Sequence, residues 1–322
     1  MRLATLLYTA ALAAAAWPAA VPAQGWPERP VRLVVFVPPG GIHDTVARII
    51  QPRLTEALGQ PIIVENRPGA GGNIAAEAVA KSAADGHTFL VASEAMATNK
   101  FLYRSIGVDA FKELAPVTKI ADFPLVFAAH PSVAASKVAE FVALARSEPG
   151  KISYGSAGVG TSGHLSGELF AGMTGIDIVH VPYKGAAPAL SDLVAGRIQA
   201  MFISVTLTAP LLREGKLKVL AVAARERAPQ MPDVPTMAQA GYPDFEMQPY
   251  SCIFAPAGTQ AAIVNRMSVE VGKALRSPEI QKRLLDLGMV PTPLTPEEFA
   301  AVLRRESERM GKLIRDRNIR AD

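Results

Sequence analysis

Three short apolar runs, VRLVVFV at 31–37, PIIVEN at 61–66 and HTFLVAS at 87–93, alternate with stretches of helical period and glycine-bearing turns. This β-α-β-α-β order constrains the fold more than any other feature of the chain. Continuous β-branched runs, as opposed to alternating ones, mark strands covered on both faces. Strands joined through a helix lie parallel, with right-handed crossovers. One helix is expected from about Thr45 to Leu58, and a second, IAAEAVAKSA, is expected to be capped by Asn73. The pattern then returns in architecture though not in letters. KISYGS (151–156), DIVHVPY (177–183), RIQAMFIS (197–204) and KLKVLAVAA (216–224) read as strands, with helices in HLSGELFAGM, PALSDLVAG and TAPLLREG.

Two such units predict an α/β protein of two similar lobes. LAPVTKIADFPLVFAAHPSV reads as extended chain passing from one lobe to the other, and FEMQPYSCIFAPAGT (245–259) as the return. The expected division is residues 24–124 with 251–322 in lobe one and 125–250 in lobe two. Two helices close the chain. The last, from Thr295, opens with a Thr295/Glu298 capping box, and its charge run RRESERMGKLIRDR reads as a solvated face.

Length and charge narrow the function classes. The chain has 322 residues, 49% hydrophobic, enough for two cores. The net charge of +4 is interspersed with no basic run, which argues against a nucleic-acid partner. MRLATLLYTAALAAAAWPAAVPAQGW has Arg2 before an apolar run shorter than the ~20 residues a membrane span needs, then small residues up to Ala23. Residues 1–23 therefore read as a secretory signal peptide cleaved near Ala23, and the mature chain is expected outside the cytoplasm. Cys252 is the sole cysteine, so no internal disulfide can form, and its strand-like surroundings predict a buried apolar role.

Ligands of open α/β sheets bind beyond the carboxyl ends of the strands. Those ends are PPGGIHD (38–44), SEAM (93–96), GSAGVGTSGH (155–164), PYKG (182–185) and ISVT (203–206). The third holds Gly158-x-Gly160-x-x-Gly163, but no acidic residue ends the following strand, as a dinucleotide site requires; Asp177 stands at its start. Neither Ser156 nor Ser162 sits in a Gly-x-Ser-x-Gly elbow, so a hydrolase lacks its signature. His164 and Glu168, four apart, make too small a set for a metal and read as a solvent-facing or capping pair. An anion asks for less: unpaired helix N-terminal N–H groups, a favourable dipole, glycine for close approach and the Thr161 and Ser162 hydroxyls. At a single loop, ligand binding and plain helix capping are equally supported. Five such loops on one cleft favour a ligand, with no cofactor, metal or catalysis.

VENRPGAGGN, YGSAGVGTSGH, VHVPYKGAAPAL, MPDVPTMAQAG and FAPAGT, in this order and spacing over the mature chain, resemble the Bug-type substrate-binding proteins of tripartite tricarboxylate transporters. The resemblance implies a periplasmic, type II-like Venus-flytrap fold that closes on an organic carboxylate and delivers it to membrane permease subunits, acting as a monomer. It implies that Gly40, Gly41 and Asp44 hold a carboxylate in lobe one. In lobe two it implies a direct cradle of Ser156, Gly160, Thr161 and Ser162 and a neighbouring wall of Tyr183, Lys184 and Gly185, with Lys184 equally readable as a charge for the ligand or as a solvated lysine at the rim. Two departures stand out. Glu94 follows Ser93, where a carboxylate would repel an anion unless it turns away, and Ile203-Ser204 lacks the acid that holds a substrate amine in many relatives. They point to a mono- or dicarboxylic acid with an apolar or aromatic body. An exported sensor subunit presenting a carboxylate to a receptor, or a secreted hydrolase, is the alternative.

Overall fold

The computed structural model describes residues 25–321, so the signal-peptide expectation for 1–23 lies outside the described residues. The first β-α-β-α-β unit forms as the sequence predicts. Strand β1 (Val31–Val35) lies between β2 (Ile62–Asn66) and β3 (Thr88–Ser93), parallel to both. Helix α1 (Ile42–Leu58) and α2 (Asn73–Ala80) make the crossovers. All six β3 residues and most of β1 are buried, which is why these runs do not alternate. Asn73 does not cap α2. The cap position is Gly72, at φ 95°, and Asn73 lies inside the helix, where its Oδ1 accepts from Asn99 Nδ2 at 2.9 Å.

Three further helices follow: α3 (Ala95–Leu102), the short α4 (Ala110–Glu113) and, after the first crossing, α5 (Val138–Ser147). The crossing is itself two strands, β4 (Leu114–Asp122) and β5 (Leu125–Ala129), one in each sheet. The second lobe continues with β6 (Ser153–Ser156), α6 (Ser162–Thr174), β7 (Val179–Pro182), α7 (Ala186–Val194), β8 (Ala200–Ser204), α8 (Val205–Arg213) and β9 (Lys218–Val222). The return crossing delivers β10 (Tyr250–Pro256), then α9 (Ala261–Leu275), α10 (Pro278–Asp286), the two-residue β11 (Val290–Pro291) and α11 (Pro296–Asp316).

The sheet orders are β11-β4-β10-β3-β1-β2 and β7-β6-β8-β5-β9. The two crossings pair with each other: β10 runs antiparallel to β4, with Tyr250 opposite Asp122, and Phe123 N–H donates to Pro249 O at 2.7 Å. The lobes are thus joined by two adjacent extended segments that share a hydrogen bond. Cys252 sits fully buried in β10, the apolar role expected.

Helix α11 belongs to both lobes. The Thr295/Glu298 capping box starts it, as the sequence predicts. Phe299 and Leu303 pack with Tyr250, Phe254 and Leu90 of the first lobe. Two turns on, Met310 and Ile314 pack with Phe127, Phe170 and Phe202 of the second. Because 3.6 residues make a turn, the stripe Phe299, Leu303, Ser307, Met310, Ile314 stays on one buried face throughout.

Candidate functional site

A cavity of about 630 Å³ is lined from both lobes. It is built from strand ends and the helices that follow them. Ile42 and His43 open α1 after β1, and Ser93, Glu94 and Ala95 join β3 to α3. Ala157–Gly163 lead into α6, Ala186 begins α7, and Ser204 and Leu207 stand at the start of α8. These β-to-α junctions therefore face one space with the N-terminal ends of their helices, each carrying partial positive charge. At α6 the backbone N–H groups of Ser162, Gly163 and His164 have no partner among the described residues, the orphan donors every helix start leaves. Gly160, at φ 78°, makes the tight approach: a Cβ there would fall 2.8 Å from Leu102 of the other lobe.

Of the residues predicted from sequence, Ser93, Glu94, Gly160, Thr161, Ser162 and Ser204 line the cavity. Gly40, Gly41, Asp44, Ser156, Tyr183, Lys184 and Gly185 are not among its lining residues. Asp44 is turned inward at 2% exposure and accepts from Gly40 N–H at 2.9 Å, Arg48 Nε at 2.9 Å and Asn66 Nδ2 at 2.8 Å. Burial pushes its carboxyl up, but Arg48 and these donors outweigh that and hold it below the usual range. Gly41 precedes α1 and donates to Pro38 O. Ser156 is fully buried, donates to Gly158 O and meets His180 Nε2 at 2.7 Å, so it braces the glycine turn from beneath. The Tyr183 hydroxyl donates to Asp192, Lys184 is exposed, and Gly185, at φ 114°, donates to Ala157 O.

The hydroxyls beside the cradle are engaged by the protein itself. Thr161 Oγ1 donates to Gly158 O at 2.7 Å and fixes the turn. Ser162 Oγ donates across the cleft to Glu94 Oε1 at 2.6 Å, and Glu94 Oε2 accepts from Tyr250 N–H at 3.2 Å. Glu94 thus ties α6 of one lobe to the strand junctions of the other. Burial pushes its carboxyl up against the lowering effect of Ser162. His164 and Glu168 are not solvent-facing. The His164 ring is 5% exposed and stacks on His180 at 3.8 Å, and Glu168 accepts from Tyr154 and Arg317. Their cluster supports the glycine turn: Gly160 N–H donates to His164 Nδ1 at 3.0 Å.

Helix α11 supplies the residues that sequence reasoning missed. Glu306, Arg309 and Met310 line the cavity, so the charge run 304–317 is not simply a solvated face. Glu306 accepts from the Tyr250 hydroxyl at 2.6 Å, and burial, with Glu94 nearby, pushes its carboxyl up to about 7. The available signal was the α11 stripe itself: positions 306 and 309 flank Leu303, Ser307 and Met310 on a helix. Asn99 was also missed; its amide donates to Gly71 O and Asn73, holding the 3-10 turn Ala70–Gly72 against α3. The remaining walls are apolar, including Phe36, Phe123, Leu125, Phe202 and Met247. His43 adds no charge: burial lowers its pKa to about 3, and its ring packs against Phe36 and Phe123. Among the described residues no group of three or more His, Cys, Asp or Glu is arranged to hold a metal.

Residues 46–319 match the family model of the tripartite tricarboxylate transporter family receptor. The protein BugT of Bordetella pertussis (strain Tohama I) is 34% identical over 307 residues, 95% of this chain and 94% of its own length. Among solved structures, Rpa4515 of R. palustris with adipate is 37% identical at a TM-score of 0.79, with 91% of this chain and 99% of that one covered. MatC from Rhodopseudomonas palustris with bound malate is 34% identical at a TM-score of 0.76, covering 90% and 100%.

Proposed function

The chain belongs to the tripartite tricarboxylate transporter receptor family, and from that premise we propose that it is a periplasmic solute-binding protein that captures a small organic carboxylate between its lobes and delivers it to membrane permease subunits. The observation that carries this reading is the pair of unpartnered N–H groups of Ser162 and Gly163 at the wall of a two-lobed cavity. A carboxylate there gains charge-assisted hydrogen bonds and the α6 dipole. Charge-assisted bonds contribute roughly 1.5–3 kcal/mol each, enough together for micromolar affinity at about −8 kcal/mol after ordering losses. The apolar walls fit an aliphatic or aromatic body, and the volume lies in the range of small-molecule sites. Two structural neighbours hold dicarboxylates, adipate and malate, which supports the ligand class.

Closure supplies the signal. The lobes touch through Ser162–Glu94, through Thr206 Oγ1 donating to Leu287 O at 2.7 Å and through Gln230 Nε2 donating to Leu285 O at 2.8 Å. A ligand that bridges the lobes favours an arrangement with these contacts made over one with them broken, and the permease reads the ligand-closed surface. Ser156 meets His180 Nε2 at 2.7 Å, but it is fully buried and outside the cavity lining, so this pair does not reach a molecule held there. Among the described residues no helix is long and apolar enough to cross a membrane. The test is a thermal-shift screen of organic carboxylates against the mature chain, followed by calorimetry. A carboxylate that raises the melting temperature and binds one-to-one is the expected result; binding confined to amines, sugars or cations would overturn the reading.

A further inference from the structure

Among the described residues, buried side-chain atoms without a hydrogen-bond partner belong to His43, His87, Ser166, Ser251, Thr292 and Arg309. Only His43 and Arg309 line the cavity. The His43 imidazole is neutral and held between two phenyl rings. Arg309 is different: it is the one cation among the lining residues, its Nη1 is buried without a partner, and it forms no salt bridge among the described residues. Arginines placed on the surface of α11 lose nothing by leaving a nitrogen to water. A half-buried guanidinium in a cavity wall, with one nitrogen unsatisfied, carries a desolvation penalty that only an incoming acceptor removes. The planar fork of arginine suits a carboxylate in particular.

We propose that Arg309 binds a ligand carboxylate, and that with the α6 N-terminus it selects acids carrying two anionic groups over those carrying one. The inference rests on the carboxylate reading of the cavity and adds a residue to it. The two contacts come from different parts of the chain. Ser162–His164 begin a helix of lobe two, and Arg309 stands midway along the helix that packs on both lobes. A molecule held by both couples its capture to the relative position of the lobes. The neighbouring carboxyls do not cancel this charge by contact: Glu246, whose charge acts on Arg309 from a distance, is paired with Arg225 at 2.8 Å. Glu94 is bonded by Ser162 and Tyr250, and Glu306 by the Tyr250 hydroxyl, with neither in ion-pair contact with Arg309.

The experiment compares linear dicarboxylates with monocarboxylates of the same chain length, by calorimetry, on the wild type, Arg309→Met and Arg309→Lys. The wild type should prefer the diacid. Arg309→Met should weaken the diacid by about tenfold to hundredfold, the range of a lost charge-assisted bond, and leave the monoacid within about threefold. Arg309→Lys should keep part of the preference. A residue with a purely structural role would lower the melting temperature of the ligand-free protein when replaced. Here the ligand-free Arg309→Met protein should melt no lower than the wild type, since an unsatisfied buried charge is removed. Should Arg309→Met fail to fold, Arg309→Gln carries the same comparison. Unchanged diacid affinity in the variants would overturn the role of Arg309 and leave carboxylate binding standing. If the wild type binds no acid of either series, the cavity reading falls and the inference with it.

Discussion

Glu306 gives the sharpest stability test, because its environment sets both a sign and a magnitude. Burial and the neighbouring Glu94 raise its carboxyl from 4.5 to about 7, against the lowering effect of the Tyr250 hydroxyl. A raised carboxyl means that the folded protein keeps this proton when the unfolded chain has already lost it. Stability therefore falls as pH rises between 4.5 and about 7, and above that range the full penalty is present. At 1.36 kcal/mol per pH unit, the gap corresponds to about 3 kcal/mol. Glu306→Gln keeps an acceptor for Tyr250 and removes the ionisation. For a chain of this size the unfolding entropy is roughly 0.6 kcal/mol/K, so the variant should gain about 5 °C in melting temperature near pH 8 and little near pH 4.5. Differential scanning calorimetry at the two pH values reads this directly. A gain of equal size at both, or none near pH 8, would refute the burial reasoning.

Three further outcomes follow from the site. Thr161→Ala with Ser162→Ala keeps the backbone amides but releases the Gly158 clamp and the charge-assisted bond to Glu94, and should weaken carboxylate binding by about tenfold to hundredfold, at ~1.5–3 kcal/mol, without unfolding; unchanged affinity in calorimetry would show that these two bonds do not position the amide cradle. Gly160→Ala places a Cβ on a residue at φ 78°, with a rotatable Leu102 methyl 2.8 Å away, so the left-handed turn should cost about 1–2 kcal/mol of stability in denaturant unfolding, while wild-type stability would contradict the strained turn. Asp44→Ala strands Gly40 N–H and Asn66, and should lower stability by about 1–3 kcal/mol while affinity changes little, read by denaturant unfolding beside calorimetry. Collapse of binding at full stability would instead make Asp44 a direct ligand group.

The parallel cores were legible because covered strands are written as unbroken β-branched runs. VRLVV and TFLVAS each became a buried strand at nearly the expected place. The Thr295 capping box was legible because both of its members lie within one turn. The helix from Ala95 was not, since it begins on the strand end itself and has no side-chain cap. Asn73 misled because its amide satisfies a distant asparagine, a tertiary partner that no local pattern encodes. The same holds for α11. A string of charges reads as solvent-facing, yet the helix crosses from one lobe to the other, and that crossing alone turns Glu306 and Arg309 into a cavity wall. The glycine turn at Gly158–Gly163 was found from its residue types. Its hydroxyls were expected to face a ligand, and in the structure they tie the loop to itself and to Glu94.

The central claim concerns where a captured anion sits. A crystal structure with the tightest-binding carboxylate of the screen should place carboxylate oxygens within hydrogen-bond reach of the Ser162 or Gly163 N–H groups, with the lobes closed over it. Density for that molecule outside the cavity, or inside it with those amides still facing empty space, would contradict the account.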